Sequence, residues 1–344
     1  MFYERELDIR NDKELNEVKN LLKLLGLKLP EGIDYIIGIY HNKELIGTGS
    51  LVGNILQGIG VAPNFKEQGL AARIVSNLIK KAVEMEKEQL YVYTKPEEVK
   101  SFTGLGFQIV SKAEPYVVLL EWGWDGIEAF KNRLACYPEG KPENSSCIVV
   151  NCNPFTLGHR YLIEKASKES PWLYVIVVEE DKSLFPFEVR IKLIEEGTKD
   201  FKNITIIPGG KYVISSLTFP AYFTREEEVP KAQALLDLEL FTDHITPVLK
   251  VKRRYVGEEP FCPVTSLYNE CMEKILPRKG IELIVVKRLE KNDEAISASR
   301  VRELIRNDKI KEAKNLLPES TYKFLISPEA EEITKRIKNS SSRH

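Results

Sequence analysis

Residues 147–167 have the sequence CIVVNCNPFTLGHRYLIEKAS, and this stretch decides the fold of the chain. Its segment 148–150 is β-branched and too short for a buried helix, which is typical of a buried strand. Apolar residues then recur at helical spacing from Tyr161 to Ala166, in a helix predicted to begin at Gly158-His159. A helix that follows a strand has unpaired backbone N–H groups and the positive end of its dipole at the turn. The turn is therefore a candidate phosphate site, to which the histidine can donate as well.

The same turn also has a plain structural interpretation. In that interpretation Asn153-Pro154 is an ordinary turn, Gly158 only permits it, and His159 caps a surface helix. A second stretch favours the phosphate site, because ISASRVR at 296–302 opens another helix with two serines and two arginines. A strand is predicted before each of the two stretches.

Together the two stretches resemble the paired signatures of the HxGH nucleotidyltransferase superfamily. Thr156 stands where the first histidine of that signature usually stands, as it does in some members, and ISASRVR matches the ISSTxxR element. The resemblance implies that His159, Thr156 and Arg302 are catalytic. It implies ATP contacts from both stretches and from residues between them, namely Asn153, Pro154, Phe155, Thr156, Gly158, His159, Arg190, Gly257, Glu258, Ser297, Ser299 and Arg302.

Two of the segments between the stretches have alternative interpretations. Arg190 lies just inside a predicted helix, either as a surface arginine paired with Glu188 or Glu195 or as a phosphate contact. The segment 256–262, VGEEPFC, is a strand end followed by a glycine turn with two acids. That turn is either simply solvated or in contact with the ribose or base of a nucleotide.

A third segment imitates the second signature. Residues 213–217, VISSL, contain an ISS sequence, but no arginine follows on the helical face before Arg225. We therefore do not assign this segment to the phosphates, although Lys211, Ser215 or Ser216 are candidates for a substrate contact.

Composition limits the classes of function. The 344 residues suffice for two domains, and 50 Lys and Arg balance 51 Asp and Glu at a net charge of −1. This balance argues against a nucleic-acid-binding protein, so any anion site must be local. The five cysteines are odd in number and lack CxxC spacing, which supports neither a disulfide scaffold nor a zinc site. No apolar run approaches membrane-spanning length and the amino terminus is too charged for a signal peptide, so we expect a cytoplasmic protein without a membrane partner.

The first 130 residues predict an α/β domain. A helix with an apolar face ends at Gly26, and three strands follow at 35–40, 44–52 and 55–61 as a meander. The segment 61–73, VAPNFKEQGLAAR, then leads from the third strand through a glycine loop into an amphipathic helix. Such a loop presents backbone N–H groups to an anion.

This loop and the later VKSFTGLGF segment resemble the GNAT acetyltransferases, with Lys66 in place of the usual Arg or Gln. The resemblance implies a site for a CoA-like group at Val61, Lys66, Gln68, Gly69, Leu70 and Ala71. Catalysis of acetyl transfer usually needs a general base near the fourth strand, and the segment 54–60 has no Glu, Asp or His. We interpret His41 as a surface residue and the domain as a binding module.

The segment 137–146, YPEGKPENSS, is dense in Pro, Gly and polar residues, which indicates a boundary. We therefore predict a GNAT-like domain at 1–130, a linker at 131–146, a second domain at 147–338 and a disordered tail at 339–344. In the second domain strands and helices alternate. This alternation predicts a doubly wound, Rossmann-like parallel sheet with its ligand at the carboxyl ends of the strands.

Five segments taken together resemble one family within the superfamily, the citrate (pro-3S)-lyase ligases, in which a GNAT-like domain precedes the nucleotidyltransferase domain. They are NPFTLGHRYLIEKAS, FPFEVRIKLIEEGT, ISSLTFPAYF, YVGEEPFCPVT and ISASRVR. The resemblance implies ATP-dependent acetylation of the prosthetic-group thiol of the citrate lyase acyl carrier protein, via acetyl-adenylate with release of AMP and pyrophosphate. The implied substrates are acetate and this carrier with its CoA-like group. The implied cofactors are ATP and Mg²⁺, with no residue assigned as a protein ligand of a metal.

The resemblance also implies a role for each signature residue. His159 and the helix that it opens would hold the α-phosphate, with Thr156 as a weaker donor, while Ser297, Ser299 and Arg302 would hold the β- and γ-phosphates. Two other functions are considered. One is an adenylyltransferase that acts on a phosphorylated small molecule such as phosphopantetheine. The other is a non-catalytic scaffold that binds a carrier or CoA.

Overall fold

A computed structural model describes the chain at residues 1–179, 183–214, 229–259, 263–291 and 294–340. These residues form two compact units. The first unit contains residues 1–130 together with one later helix, and the second contains the rest of the described chain.

The first unit is built on a seven-stranded sheet. Its strands are β1 (Phe2–Glu6), β2 (Tyr35–His41), β3 (Glu44–Val52), β4 (Ile55–Val61), β5 (Gln89–Thr94), β6 (Gln108–Ala113) and β7 (Val117–Gly123). They lie in the order β1-β2-β3-β4-β5-β7-β6, and only the β4 and β5 pair is parallel. The predicted meander is confirmed. The apolar patterns of the sequence do not indicate the two edge strands, β1 and β6. Most side chains of β1 and half of those of β6 are exposed.

Helices cover this sheet. They are α1 (Asp12–Leu24), α2 (Leu70–Glu84), α3 (Val99–Thr103) and α4 (Ile127–Leu134), of which α4 runs past residue 130. The apolar face of α2 packs so closely on the sheet that a Cβ at Gly49 would lie 2.4 Å from a methyl of Ile74. The chain leaves α1 at Gly26, whose φ of +69° is a left-handed conformation that suits glycine.

A helix from far along the chain completes the first unit. This helix, α7 (Val229–Leu240), packs on β6, where the Ser111 hydroxyl donates to the Leu236 carbonyl at 3.1 Å. We predicted residues 147–338 as one domain, whereas the structure groups α7 with the first unit. The physical reason is that this helix is apolar around most of its circumference and needs a surface to cover it.

The second unit has a five-stranded sheet that is parallel throughout. Its strands are β8 (Ser145–Val150), β9 (Leu173–Val177), β10 (Ile204–Pro208), β11 (Val251–Gly257) and β12 (Glu282–Val286). The order β10-β9-β8-β11-β12 confirms the predicted doubly wound sheet. Strand order reverses at β8, so a crevice opens beyond the carboxyl ends of β8 and β11.

Helices and one short hairpin surround this sheet. The elements are α5 (Leu157–Lys168), α6 (Phe187–Thr198), a π-helical turn (Phe241–Ile245), α8 (Thr246–Leu249), α9 (Pro263–Ile275), the hairpin β13 (Glu290–Lys291) and β14 (Glu294–Ala295), α10 (Ala298–Arg306), α11 (Ile310–Ala313), α12 (Glu319–Leu325) and α13 (Glu331–Asn339). Residues 135–144 form neither helix nor strand. Helix α13 reaches Asn339, the first residue of the predicted tail, and residues 341–344 lie outside the described chain.

Candidate active site

A cavity of about 1190 Å³ lies in the second unit at the carboxyl ends of β8, β11 and β12. Both signature stretches line it, although they are more than a hundred residues apart in the chain. Nine of the predicted ATP-binding residues are among its lining residues: Asn153, Thr156, Gly158, His159, Gly257, Glu258, Ser297, Ser299 and Arg302. The volume suits a nucleotide with a second small substrate.

His159 is held in one orientation by the turn that precedes α5. The Thr156 backbone N–H donates to Nδ1 of His159 at 3.1 Å, and the Thr156 hydroxyl lies 3.0 Å from the same nitrogen. A backbone N–H cannot accept a hydrogen bond, so Nδ1 must be the acceptor and the neutral ring must carry its proton on Nε2. The neutral imidazole then has one hydrogen-bond donor, Nε2–H.

The imidazole is also neutral at physiological pH. Burial, and after it the positive charges of Arg288 and Arg302, lowers the pKa of His159 to about 4. The side chain therefore acts as a hydrogen-bond donor and not as a cation.

Thr156 supports this arrangement from the cap of α5. Its hydroxyl accepts from the His159 backbone N–H at 3.4 Å, so Thr156 and His159 form a reciprocal capping box. Only 1% of Thr156 is exposed. The geometry makes Thr156 a residue that positions His159 from the cavity wall.

Gly158 brings the two signature stretches into contact. A Cβ at this residue would lie 2.9 Å from the carbonyl oxygen of Ile296, the residue that opens the second stretch. Its φ is not in the left-handed region, so the glycine is required by this close approach and not by the turn.

Arg302 links the same two stretches by hydrogen bonds. Its guanidinium donates to the Asn153 carbonyl and, at 3.2 Å, to the Ser299 hydroxyl. Ser297 caps α10 by accepting from the Arg300 backbone N–H at 3.2 Å. Burial, followed by the charge of Arg306, lowers the pKa of Arg302 to about 10, so the side chain remains positive at neutral pH.

Three of the predicted ATP-binding residues do not line the cavity. Phe155 belongs to the core of the second unit and lies against Gly197, and Pro154 is buried next to it. Arg190 is 0% exposed, which also excludes the surface arginine considered above. Its guanidinium donates to the carbonyls of Phe185, Asn151 and Val178 at 3.0, 2.8 and 2.6 Å and so ties the ends of β8 and β9 to the loop before α6.

Several charged residues that the sequence analysis did not single out also line the cavity. They are Lys287, Arg288, Arg300, Glu303 and Arg306, and Glu259 of the predicted glycine turn lines the cavity as well. Arg288 donates to the Glu258 carbonyl at 2.7 Å and pairs with the Glu259 carboxylate at 2.5 Å. A usable signal was present, since Lys287-Arg288 follows β12 directly and the carboxyl ends of parallel strands face the ligand.

In the first unit, the residues predicted to hold a CoA-like group divide by exposure. Val61 and Leu70 are buried in the core of the unit. The other four, Lys66, Gln68, Gly69 and Ala71, are exposed. Gly69 has a φ of +69° with nothing within 4 Å of a Cβ, so only its backbone conformation requires glycine.

Some predicted contacts fall outside the described residues, namely Ser215, Ser216 and the segment 260–262. Lys211 lies in the turn Gly210–Tyr212 and does not line the cavity. Within the described ranges, no group of three His, Cys, Asp or Glu side chains is arranged to hold a metal ion. In the same part of the chain, none of the helices combines the length and the apolar character that crossing a bilayer requires.

Comparison with known proteins identifies relatives of the whole chain. A family model described as the citrate lyase ligase C-terminal domain matches residues 145–325. The citrate (pro-3S)-lyase ligase of Klebsiella pneumoniae is 35% identical over 328 residues, which cover 94% of this chain and 96% of the relative. The corresponding ligase of Escherichia coli is 34% identical over 321 residues, covering 91% of each.

Other matches cover part of the chain. The phosphopantetheine adenylyltransferase of Clostridium novyi is 27% identical over 149 residues, covering 39% of this chain and 91% of the relative. An acyl-CoA N-acyltransferase from Pseudomonas aeruginosa is a structural match at 12% identity and a TM-score of 0.31, covering 35% of this chain and 99% of that chain. An N-acetyltransferase from Staphylococcus aureus matches at 16% identity and a TM-score of 0.29, and the match covers 36% of this chain and 97% of that chain.

Proposed function

We propose that this chain, which belongs to the citrate (pro-3S)-lyase ligase family, is an acid–thiol ligase. It acetylates the prosthetic-group thiol of the citrate lyase acyl carrier protein. The reaction consumes acetate and ATP and releases AMP and pyrophosphate. The first unit has a GNAT-like α/β fold, and the second is a doubly wound nucleotidyltransferase-like domain.

The chemistry has two halves. In the first, an acetate oxygen attacks the α-phosphorus of ATP, the bond from that phosphorus to the bridging oxygen breaks, and pyrophosphate leaves. In the second, the carrier sulfur attacks the acetyl carbonyl carbon, the bond to the AMP oxygen breaks, and the thiol proton passes to solvent. The first half depends mainly on positioning and on stabilisation of phosphate charge.

One observation carries the proposal: the two signature stretches meet on one cavity at the switch point of a parallel sheet. The contacts that join them are the close approach of Gly158 to the Ile296 carbonyl and the bond from Arg302 to the Asn153 carbonyl. The amino ends of α5 and α10 both border this cavity. Two such helix termini suit a polyphosphate.

The proposed roles follow from these positions. Nε2–H of His159 donates to the α-phosphate and stabilises the charge that develops there, and Thr156 keeps that nitrogen protonated. Ser297, Ser299 and the charge of Arg302 serve the β- and γ-phosphates. Arg190 acts through the backbone, since its bonds to the Asn151 and Val178 carbonyls shape the crevice.

We propose that Mg²⁺ reaches the site bound to ATP. The described residues offer no cluster of protein ligands for it, so we derive no protein-held metal site. When it is bound to the phosphates, Mg²⁺ supplies neutralisation of their charge.

For the first unit we propose binding of the carrier's CoA-like arm and no independent acetyl transfer. The exposed residues from Lys66 to Gly69 lead into α2, and the N-cap Gly69 leaves the first backbone N–H groups of that helix without a side-chain cap, as an anion cradle requires. Segment 54–60 contains no general base. Transfer of acetyl from acetyl-CoA to a small amine at about 1 s⁻¹ or faster would contradict this assignment.

Pyrophosphate–ATP exchange tests the proposed reaction. We expect the full chain to incorporate labelled pyrophosphate into ATP only when acetate is present, and then to acetylate the thiol of the deacetylated carrier. Exchange that needs phosphopantetheine and ignores acetate would show an adenylyltransferase instead. A complete lack of ATP turnover with every acceptor would favour a binding scaffold.

A further inference from the structure

An ion pair between Arg288 and Glu259 lies on the wall of the cavity, and neither signature stretch contains it. The guanidinium and the carboxylate are 2.5 Å apart, with 22% of the Arg288 side chain and 14% of the Glu259 side chain exposed. Both residues border the same cavity as His159. The pair is thus half-buried and faces the place where the reaction is proposed to occur.

The sheet holds this pair in place. Gly257 and Val286 are register partners at the carboxyl ends of β11 and β12. Just beyond them the Glu258 backbone N–H donates to the Val286 carbonyl at 3.0 Å, and Arg288 donates through Nε to the Glu258 carbonyl at 2.7 Å. The guanidinium therefore has a fixed direction, which is what recognition of a planar oxyanion requires.

Two arginines act electrostatically on His159, and their surroundings differ. Arg302 is only 5% exposed and bonds to the Asn153 carbonyl and to Ser299, both within the signature stretches. Arg288 is the more accessible of the two, and its charge has the larger effect in lowering the pKa of His159. Arg288 is thus the more accessible of two cations that line the cavity with His159, and it lies outside both signature stretches.

The first half-reaction brings two anions together, because acetate must approach an α-phosphate that is itself negative. A site for this step needs a cation for the carboxylate in addition to the donors that hold the phosphates. We propose that Arg288 binds the carboxylate of acetate and orients it toward the α-phosphate beside His159. This inference rests on the proposed function.

Glu259 has a second consequence in this arrangement. A carboxylate 2.5 Å from Arg288 repels any further negative group on the acid that Arg288 holds. Glu259 also repels the carboxylate of acetate, but malonate brings a second negative charge to the pair and should therefore be the poorer substrate.

Replacement of the arginine tests the assignment in the full chain. We expect Arg288→Gln to raise the KM for acetate by about tenfold or more in pyrophosphate exchange, through loss of a charge-assisted pair, with the KM for ATP within about threefold. Arg288→Lys keeps the charge without the planar fork and should give an intermediate KM for acetate. If Arg288→Gln fails to fold, the Arg288→Lys variant still tests the assignment.

A matched control lies on the same two strands. Arg253 pairs with Glu282 at 3.1 Å near the amino ends of β11 and β12, outside the cavity, so Arg253→Gln should leave both KM values at the parent level. A rise in the KM for ATP with that for acetate unchanged would make Arg288 a phosphate ligand and overturn the inference. Unchanged values in both Arg288 variants would overturn it as well. Failure of the proposed function looks different, since the parent chain itself would then show no acetate-dependent exchange.

Selectivity gives an independent readout. We expect Glu259→Gln to raise the exchange supported by malonate relative to that supported by acetate, because the repelling charge is gone. An unchanged ratio of malonate-supported to acetate-supported exchange would contradict the role of Glu259 in selectivity.

Discussion

Each unit contains a strand, a loop and a helix that were predicted to bind phosphate, and the two loops differ in how the fold uses their glycine. Gly158 of the second unit is pressed against the Ile296 carbonyl, 2.9 Å from where a Cβ would lie. Gly69 of the first unit has open space around it and a φ of +69°. Glycine is required at 158 for close contact with a distant segment, whereas at 69 it is required for the local backbone conformation.

The difference extends to the residues around each glycine. Beside Gly158, a buried threonine fixes the ring of His159, and a buried arginine ties the loop to α10. Beside Gly69 the loop residues Lys66 and Gln68 are exposed. The first arrangement is preorganised for a chemical step, whereas the second suits docking of a group that arrives and leaves.

The largest expected effect concerns His159, which has no counterpart in the loop of the first unit. His159→Ala removes a donor to the transition state and should lower acetate-dependent exchange by about 10²–10³. Circular dichroism and thermal unfolding should show that the fold is retained. Exchange within threefold of the parent would refute the role of this histidine.

Arg302 tests the bond between the two signature stretches. Arg302→Ala should raise the KM for ATP and pyrophosphate by roughly 10- to 100-fold and that for acetate far less, because we propose that the lost charge serves the phosphates. Steady-state exchange kinetics measure all three constants. Unchanged nucleotide affinity together with poor use of acetate would assign Arg302 to the acid instead.

The two glycines can be compared directly by the same substitution. Gly158→Ala should displace the Ile296 carbonyl, destabilise the protein by about 1–3 kcal/mol and slow exchange about tenfold or more. Gly69→Ala should cost about 1 kcal/mol through its backbone conformation, leave exchange within about twofold and slow acetyl delivery to the carrier. Gly53→Ala is the control for Gly69, since Gly53 has a φ of +55° and equally open surroundings. An equal loss of exchange in Gly158→Ala and Gly69→Ala would contradict the difference between the two loops.

We prefer these point substitutions to a deletion of residues 1–130. Helix α7 packs on the sheet of the first unit although it comes later in the chain. A truncated protein would expose its apolar surface, and a loss of activity would then have two explanations.

The last prediction concerns the dependence of stability on pH, which does not involve activity. The pKa of His159 is about 4 in the folded chain and about 6.5 when unfolded, so between these values the unfolded state binds more protons. Stability should therefore rise with pH from about 4 to 6.5, and protonation of this group should have no effect above that range. Urea unfolding at pH 4.5 and 7 should show a smaller loss on acidification for His159→Gln than for the parent. An identical loss in both would contradict the lowered pKa.

Most elements of the fold were predictable because their apolar residues follow the period of the structure that they form. The three strands of the meander are examples. The edge strands β1 and β6 were missed, since an exposed edge strand carries many polar side chains and lacks a continuous apolar pattern.

The site was predictable at the two signature stretches and at Gly257 and Glu258 of the glycine turn, all of which line the cavity. Arg190 resembled a phosphate ligand by its place at a helix start, but its charge is enclosed by three backbone carbonyls. Arg288 directly follows β12, which indicates a place at the carboxyl end of the sheet, but its pairing with Glu259 depends on β12 lying beside β11. A side chain's direction depends on which strands become neighbours, and local sequence does not encode that.

The sequence by itself determined the alternation of strands and helices, the turn at His159 and the family to which the chain belongs. Periodicity and turn chemistry act between residues close in the chain, so they can be read without coordinates. The tertiary structure alone decided that α7 joins the first unit, that Gly158 faces the Ile296 carbonyl and that Arg288 stands beside Glu259. These contacts join residues distant in sequence, and only the packing of the whole chain selects them among the alternatives that local preferences allow.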